Sequence, residues 1–106
     1  MSFIINKRIL NAVTINADTT SESVDISECA GYAVQAYWTG TPTGNLIIQA
    51  SKDDTNWVAV DTTATGGAAG SRLLNVESAH YRYVRVFYDA ASSTGALTAY
   101  ISAKDI

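Results

Sequence analysis

The sequence predicts an all-β protein, an antiparallel β-sandwich of jelly-roll-like type with about eight short strands. Apolar residues recur with a period of two, and no segment carries a helical apolar stripe of useful length. Turn residues separate these short segments at intervals of roughly 8–12 residues, as in sandwiches and barrels. The 106 residues fit one domain, which can bury a core without disulfides.

The clearest pair of strands is predicted in the middle of the chain. Over residues 32–38, aromatic and β-branched residues alternate with more polar ones, and a second strand is predicted over residues 45–51. The segment between them, residues 40–44, has glycine at both ends and the only proline, Pro42. Because this loop is short, we expect the two strands to form a hairpin.

Four further strands are predicted downstream, over residues 57–61, 73–76, 81–88 and 95–104. The segment 66–70 is Gly-rich but lacks the lysine and the following helix of a phosphate-binding loop. We expect it to be a flexible hairpin tip.

The N-terminal third is predicted to hold shorter strands, over residues 9–15 and 23–26. Residues 1–10 are predicted to be an N-terminal arm, packed on a neighbouring subunit, or an edge strand of the single sandwich domain formed by residues 11–106. The apolar residues of this arm are Phe3, Ile4 and Ile5.

Alternation along the predicted strands separates a core face from an outer face. The candidate core residues are Val34, Leu46, Ile48, Trp57, Val84, Val86, Leu97 and Ile101. Three of the six tyrosines, Tyr37, Tyr88 and Tyr100, are assigned to the face opposite the more apolar neighbours of their strands. Together with Phe3, Ile4 and Ile5 they are the candidate interface residues, although filling the core is the alternative role for each tyrosine.

The charge content argues against several classes of partner. Seven Lys and Arg are scattered among ten Asp and Glu, and charged residues make up only 16% of the chain. Nucleic-acid binding needs a clustered basic face, so we expect none. No apolar run approaches the ~20 residues of a transmembrane helix, so we expect no membrane partner. The N-terminus does not have the pattern of a signal peptide, which predicts a protein that matures in a cytoplasm.

Residues for catalysis or metal binding are also sparse. The chain has one histidine, His80, and one cysteine, Cys29, without zinc-ligand spacing or a nucleophile motif. The oxygen-rich segment 53–56 could hold calcium, but Asp and Asn collect in turns for their own backbone hydrogen bonds. We therefore expect no enzyme activity, no metal and no cofactor.

Residues 45–57, a strand ending in Gln-x-Ser before an Asp-rich turn and Trp57, resemble β-sandwich modules of the discoidin and galactose-binding type. Residues 81–86 and 95–101 match the same layout, so the resemblance covers roughly residues 31–104. It implies a fold more than a function. The small size and low charge also resemble the capsid decoration (cement) proteins of tailed bacteriophages, which form dimers or trimers on the shell.

Two functions are predicted from these features. The first is a virion structural protein, assembled in the host cytoplasm, that decorates and stabilises a phage capsid. Its partners would be the major capsid protein or another virion protein, and further copies of the chain in a dimer or trimer. The alternative is a carbohydrate- or receptor-binding module of a tail fibre or spike. In that case Trp38, beside the loop 40–44, is the candidate ligand-facing residue.

Overall fold

The computed structural model describes the backbone of residues 3–26, 31–76, 81–90 and 95–104, and the side chains of these ranges apart from residues 3–5 and 104. These ranges contain nine β-strands and no helix, so they also contain no helix that could span a membrane. The strands are β1 (Phe3–Thr14), β2 (Thr19–Thr20), β3 (Val24–Asp25), β4 (Gly31–Trp38), β5 (Asn45–Ser51), β6 (Val58–Ala64), β7 (Gly70–Val76), β8 (Tyr83–Asp89) and β9 (Ala96–Lys104).

The strands form two antiparallel sheets packed as a sandwich. The first sheet has the order β1-β9-β4-β7, and the second has the order β2-β8-β5-β6. The short strands β2 and β3 both pair with β8, and between them the Ser21 amide donates to the Val86 carbonyl oxygen at 2.8 Å. They are therefore two parts of one interrupted edge strand. The predicted all-β sandwich with a jelly-roll-like layout is confirmed.

The inner faces of the two sheets form one hydrophobic core. Alternation places every second residue of the central strands β4, β5 and β8 in this core. Seven of the eight candidate core residues are buried: Val34, Leu46, Ile48, Val84, Val86, Leu97 and Ile101.

The eighth candidate, Trp57, does not lie in the core. Val58 pairs with the buried Ala50, so the preceding Trp57 faces the outer side of the second sheet. There it is half-buried, with the Arg85 guanidinium carbon 4.1 Å from a ring centroid of the indole. Arg85 is held in place by Gln49, whose Oε1 accepts from Arg85 Nε at 2.8 Å. A cation–π contact thus covers the side chain that was expected to fill the interior.

The predicted hairpin of residues 32–38 and 45–51 is wrong. Strand β4 lies in the first sheet between β7 and β9, whereas β5 lies in the second sheet, so residues 39–44 cross from one sheet to the other. Residues 65–69 also cross between sheets, from β6 to β7, and are not a hairpin tip. The two crossings bind each other, because Thr65 Oγ1 and the Gly67 amide donate to the Pro42 carbonyl oxygen at 2.8 and 2.7 Å.

Residues 3–10 lie in an edge strand of the chain's own sandwich. Strand β1 pairs with β9 from Phe3 to Thr14, so the predicted division after residue 10 falls inside one continuous strand. The pairing shifts register between Arg8 and Leu10. Ile9 and Leu10, which are adjacent in sequence, are both buried beside this shift. Strict alternation would have placed one of them outside.

Candidate interaction surfaces

Strands β6 and β7 form one lateral side of the sandwich, here called the β6/β7 side. Each is the last strand of its sheet and pairs with a single neighbour among the described residues. The side exposes large apolar side chains: Val58 is 70% exposed, Leu73 is 62% exposed and Val60 is 40% exposed. Neither seven-residue strand contains lysine or proline. Lysine and proline, two of the residues with which sheet edges usually block pairing with other chains, are therefore absent, although β6 has one register shift against β5 and the strands carry Asp61 and Arg72.

The opposite side, formed by β1 with β2 and β3 and called the β1/β2 side, is built differently. Strand β1 carries Lys7 and Arg8, and its pairing with β9 has three register shifts. Strands β2 and β3 are only two residues long. Lys7 Nζ lies 2.5 Å from Glu22 Oε1, so an exposed ion pair crosses this side. Charges, bulges and short strands are the devices that prevent edge-to-edge association.

The charges on the β6/β7 side neutralise each other. Arg72 Nε and Nη2 donate to the two carboxylate oxygens of Asp61 at 3.0 and 2.9 Å, which joins β7 of the first sheet to β6 of the second. Thr63 Oγ1 also donates to Asp61 at 3.2 Å. The guanidinium hydrogen bonds lower the pKa of the Asp61 carboxyl below its usual range, although burial opposes them. The side thus presents no uncompensated charge within these two strands.

A shallow groove of about 380 Å³ lies beside Val58. Its apolar lining comes from Ala50, Val58, Val60 and Tyr81, and the turn after β5 forms its rim. The Tyr81 hydroxyl is hydrogen-bonded to the Tyr32 hydroxyl, and the two rings meet edge to face with centroids 5.9 Å apart. Burial, followed by this hydrogen bond, raises the pKa of Tyr32.

The turn at the rim is held by Asp53. Its carboxylate accepts hydrogen bonds from the Asn56 amide at 2.8 Å, the Asn56 side chain at 2.6 Å and the Thr55 amide at 3.0 Å. These bonds, led by the Asn56 amide, hold the pKa of Asp53 well below its usual range. The Asp53 carboxylate thus holds the turn through its own hydrogen bonds. No group of three His, Cys, Asp or Glu side chains that could hold a metal occurs in the described residues.

The outer face of the first sheet carries the second candidate surface. The strand register aligns Arg8, Tyr100, Gln35 and Leu73 in one row across β1, β9, β4 and β7. Tyr37, two residues after Gln35, is 42% exposed on the same face. A depression of about 210 Å³ there is lined only by uncharged residues, namely Asn6, Ala33, Gln35, Leu73, Tyr100 and Ser102.

The structure brings together two of the candidate interface residues. Tyr37 and Tyr100 share the outer face of the first sheet, with Tyr100 half-buried. The backbone of Phe3, Ile4 and Ile5 lies in β1, but their side chains lie outside the described part of the chain. Cys29 and His80 also lie outside the described residues.

Two other candidate site residues point inward. Tyr88 is fully buried, because it shares the inner face of β8 with Val84 and Val86, and its hydroxyl accepts from the Gly44 amide at 2.9 Å. Trp38 is only 5% exposed, and its Nε1 donates to the Ala68 carbonyl oxygen at 2.9 Å. Trp38 is therefore a buried residue that binds the crossing of residues 65–69, and its ring is not exposed for a ligand.

Sequence reasoning missed the β6/β7 side. Strands were predicted there, but no partner was assigned to Val58, Val60 or Leu73. The adjacent leucines at positions 73 and 74 were the available signal, since one of two neighbouring residues on a strand must face outward. The pairing of Asp61 with Arg72 joins two sheets and has no signal in the sequence.

Comparison with known proteins shows similarity of fold. No protein-family model and no curated protein matches the chain. The fold is similar to the crystal structure of PBSX exported protein XepA, with a TM-score of 0.73 and 16% identity over 97% of this chain, which spans only 38% of XepA. It is also similar to the SPBc2 prophage-derived protein YomS, with a TM-score of 0.62 and 7% identity over 98% of this chain and 99% of YomS.

A third structure with this fold comes from Bacillus endospore appendages, described as a family of disulfide-linked pili. Its TM-score is 0.55, with 19% identity over 96% of this chain and 88% of that one. The fold therefore resembles those of prophage-derived proteins, one of them exported, and of an appendage protein.

Proposed function

We propose that this chain is a non-enzymatic structural subunit that associates with copies of itself through the β6/β7 side. The observation that carries the proposal is the contrast between the two lateral sides of one sandwich. The β1/β2 side has charges, register shifts and very short strands, whereas the β6/β7 side has two seven-residue strands with exposed Val58 and Leu73. An edge that exposes apolar side chains and has few blocking features is a template for strand pairing between chains.

The comparisons support the same class of function. A protein with this fold occurs in pili, which are assemblies of repeated subunits. Two others derive from prophages. At these low identities the fold alone is shared, so the role in this chain rests on its own edge strands.

The test is the oligomeric state of the purified chain. Light scattering coupled to gel filtration is expected to give an oligomer for the wild-type chain and a monomer for the double variant Val58→Lys, Leu73→Lys. Lysines on an edge strand block pairing because their charges repel when two edges meet. Both side chains are more than half exposed, so the substitutions leave the core intact.

Asn11→Lys is the matched control, because Asn11 is exposed on the edge strand of the β1/β2 side. It is expected to leave the oligomer unchanged. A monomeric wild-type chain at high concentration, or equal loss of the oligomer in the control, would contradict the proposal.

Capsid decoration is the specific form of this function that the sequence predicts, with the major capsid protein as the partner and the virion as the location. Electron microscopy of the purified chain separates it from an appendage role. Closed dimers or trimers fit a decoration protein that is arrayed by binding a shell. Filaments formed by the chain alone would instead favour an appendage subunit.

Carbohydrate binding is the second candidate, supported by the uncharged depression on the first sheet and not by Trp38. An aromatic ring beside neutral amides and hydroxyls suits a neutral sugar. Saturation-transfer NMR with neutral mono- and disaccharides is expected to show transfer that Gln35→Ala abolishes and Thr62→Ala, on β6, preserves. Gln35 lies in the lining of the depression, whereas Thr62 is exposed elsewhere. An absence of transfer across the panel would remove this candidate.

A further inference from the structure

We infer that two copies of this chain join their first sheets by antiparallel pairing of β7 with β7 across a two-fold axis at Leu73. This inference rests on the proposed self-association and adds its partner, strand, symmetry and register. The occupant of the exposed edge is a second copy of the chain. The paired edges would extend the four-stranded sheet to eight strands.

Strand β7 is the better edge for this contact than β6, because its pairing within the sheet is regular. Strand β7 pairs with β4 over all seven residues without a register shift, whereas β6 is shifted against β5 between Ile48 and Gln49. A bulge bends a strand and disturbs the row of amides and carbonyls that a new strand would bind. Strand β7 is thus the regular edge on the β6/β7 side.

The symmetry follows from the contrast between the two sides. A head-to-tail contact would place β7 of one copy against β1 of another, and β1 has Lys7, Arg8 and three register shifts. A two-fold contact instead joins two unblocked β7 edges, and two-fold dimers are the commonest symmetric oligomers. Because antiparallel pairing of identical strands is itself two-fold symmetric, no further change of geometry is needed.

The register follows from the position of Leu73. It is the central residue of β7, so an axis at this point pairs all seven residues of both strands. Leu73 would then lie beside its own copy on the outer face, covering the side chain that is 62% exposed in the single chain. The adjacent Arg72 brings no repulsion to the axis, because Asp61 binds its guanidinium with two hydrogen bonds.

Single-cysteine crosslinking tests the inference directly. In a Cys29→Ser background, Leu73→Cys is expected to form a covalent dimer under mild oxidation. Directly opposed strand residues have Cα atoms about 4.5–5.5 Å apart, within disulfide range. Ser71→Cys and Asn75→Cys are the matched controls, since both are exposed on the same strand and face.

Each control alone is expected to remain monomeric on a non-reducing gel. Two copies of the same control residue would be offset by four strand positions, about 13 Å, which exceeds disulfide range. A mixture of Ser71→Cys and Asn75→Cys is expected to give the crosslinked dimer, because this register places position 71 opposite position 75. Light scattering of the cysteine-free background gives the oligomeric state in parallel.

The other outcomes overturn the inference in distinguishable ways. Equal crosslinking of all three single variants would indicate random collision. Crosslinking strongest at position 71 or 75 alone would place the axis elsewhere. An oligomer without a Leu73→Cys crosslink would overturn the β7 dimer but leave the proposed function standing, whereas a monomer would overturn both.

Discussion

At the scale of single residues, Tyr88 shows how a polar atom inside the core fixes a loop. Its ring is fully buried, and its hydroxyl accepts a hydrogen bond from the Gly44 amide, which ends the crossing from the first sheet to the second. A Cβ at Gly44 would lie 2.1 Å from the Asp89 carbonyl oxygen, so only glycine fits there. The residue expected at an interface thus ties the end of the crossing to the second sheet from inside the core.

Removal of the Tyr88 hydroxyl is therefore expected to destabilise the fold. Tyr88→Phe would leave the buried Gly44 amide without this acceptor, which costs about 1–3 kcal/mol of unfolding free energy. Urea denaturation monitored by fluorescence measures the loss. Tyr37→Phe, which removes an exposed hydroxyl, should change stability by less than about 0.5 kcal/mol. Equal effects of the two variants would contradict the assigned role.

At the scale of elements, alternation in the sequence predicted where the strands lie, but it did not predict which strands pair with each other. Strand β4 was predicted within one residue of its bounds because Tyr32, Val34, Ala36 and Trp38 form one buried face. Its partners were not predictable in this way, because β7 and β9 lie far from it in sequence. A short Gly- and Pro-containing loop suits both a hairpin and a crossing between sheets. In this fold the loop crosses between the sheets, and Thr65 and Gly67 hold it there by hydrogen bonds to the Pro42 carbonyl oxygen.

At the scale of the whole molecule, the Asp61–Arg72 pair joins the two sheets along the β6/β7 side. The pair is partly exposed, so its contribution to stability is screened by solvent. The lowered pKa of Asp61 means that the folded protein holds the carboxylate ionised more strongly than the unfolded chain does. The resulting stabilisation is present above the unfolded pKa of about 3.9 and is lost as the pH falls through the lower folded pKa.

Asp61→Asn is accordingly expected to lower the urea midpoint at pH 7 and to have a smaller effect near pH 3. Arg72→Gln should reproduce this pattern, and the double variant should add little, because both changes remove one interaction. The Asp53 carboxyl has a lowered pKa of its own and contributes equally to all the variants. Urea midpoints measured between pH 3 and pH 7 test the prediction. A constant effect of Asp61→Asn across this range would contradict it.

The sequence by itself determined the all-β class, most of the strands and seven of the eight core residues that it named, because burial of alternate apolar side chains is a local property of each strand. Only the tertiary structure decided which edges stay unpaired, since that depends on strands far apart in the chain. The tertiary structure also buries Tyr88 and Trp38 and places Trp57 on the outer side, against expectation. It brings Asp61 into hydrogen-bonding contact with Arg72. The β6/β7 side exists because β6 and β7 end different sheets on the same side of the sandwich, a relation that no local pattern encodes.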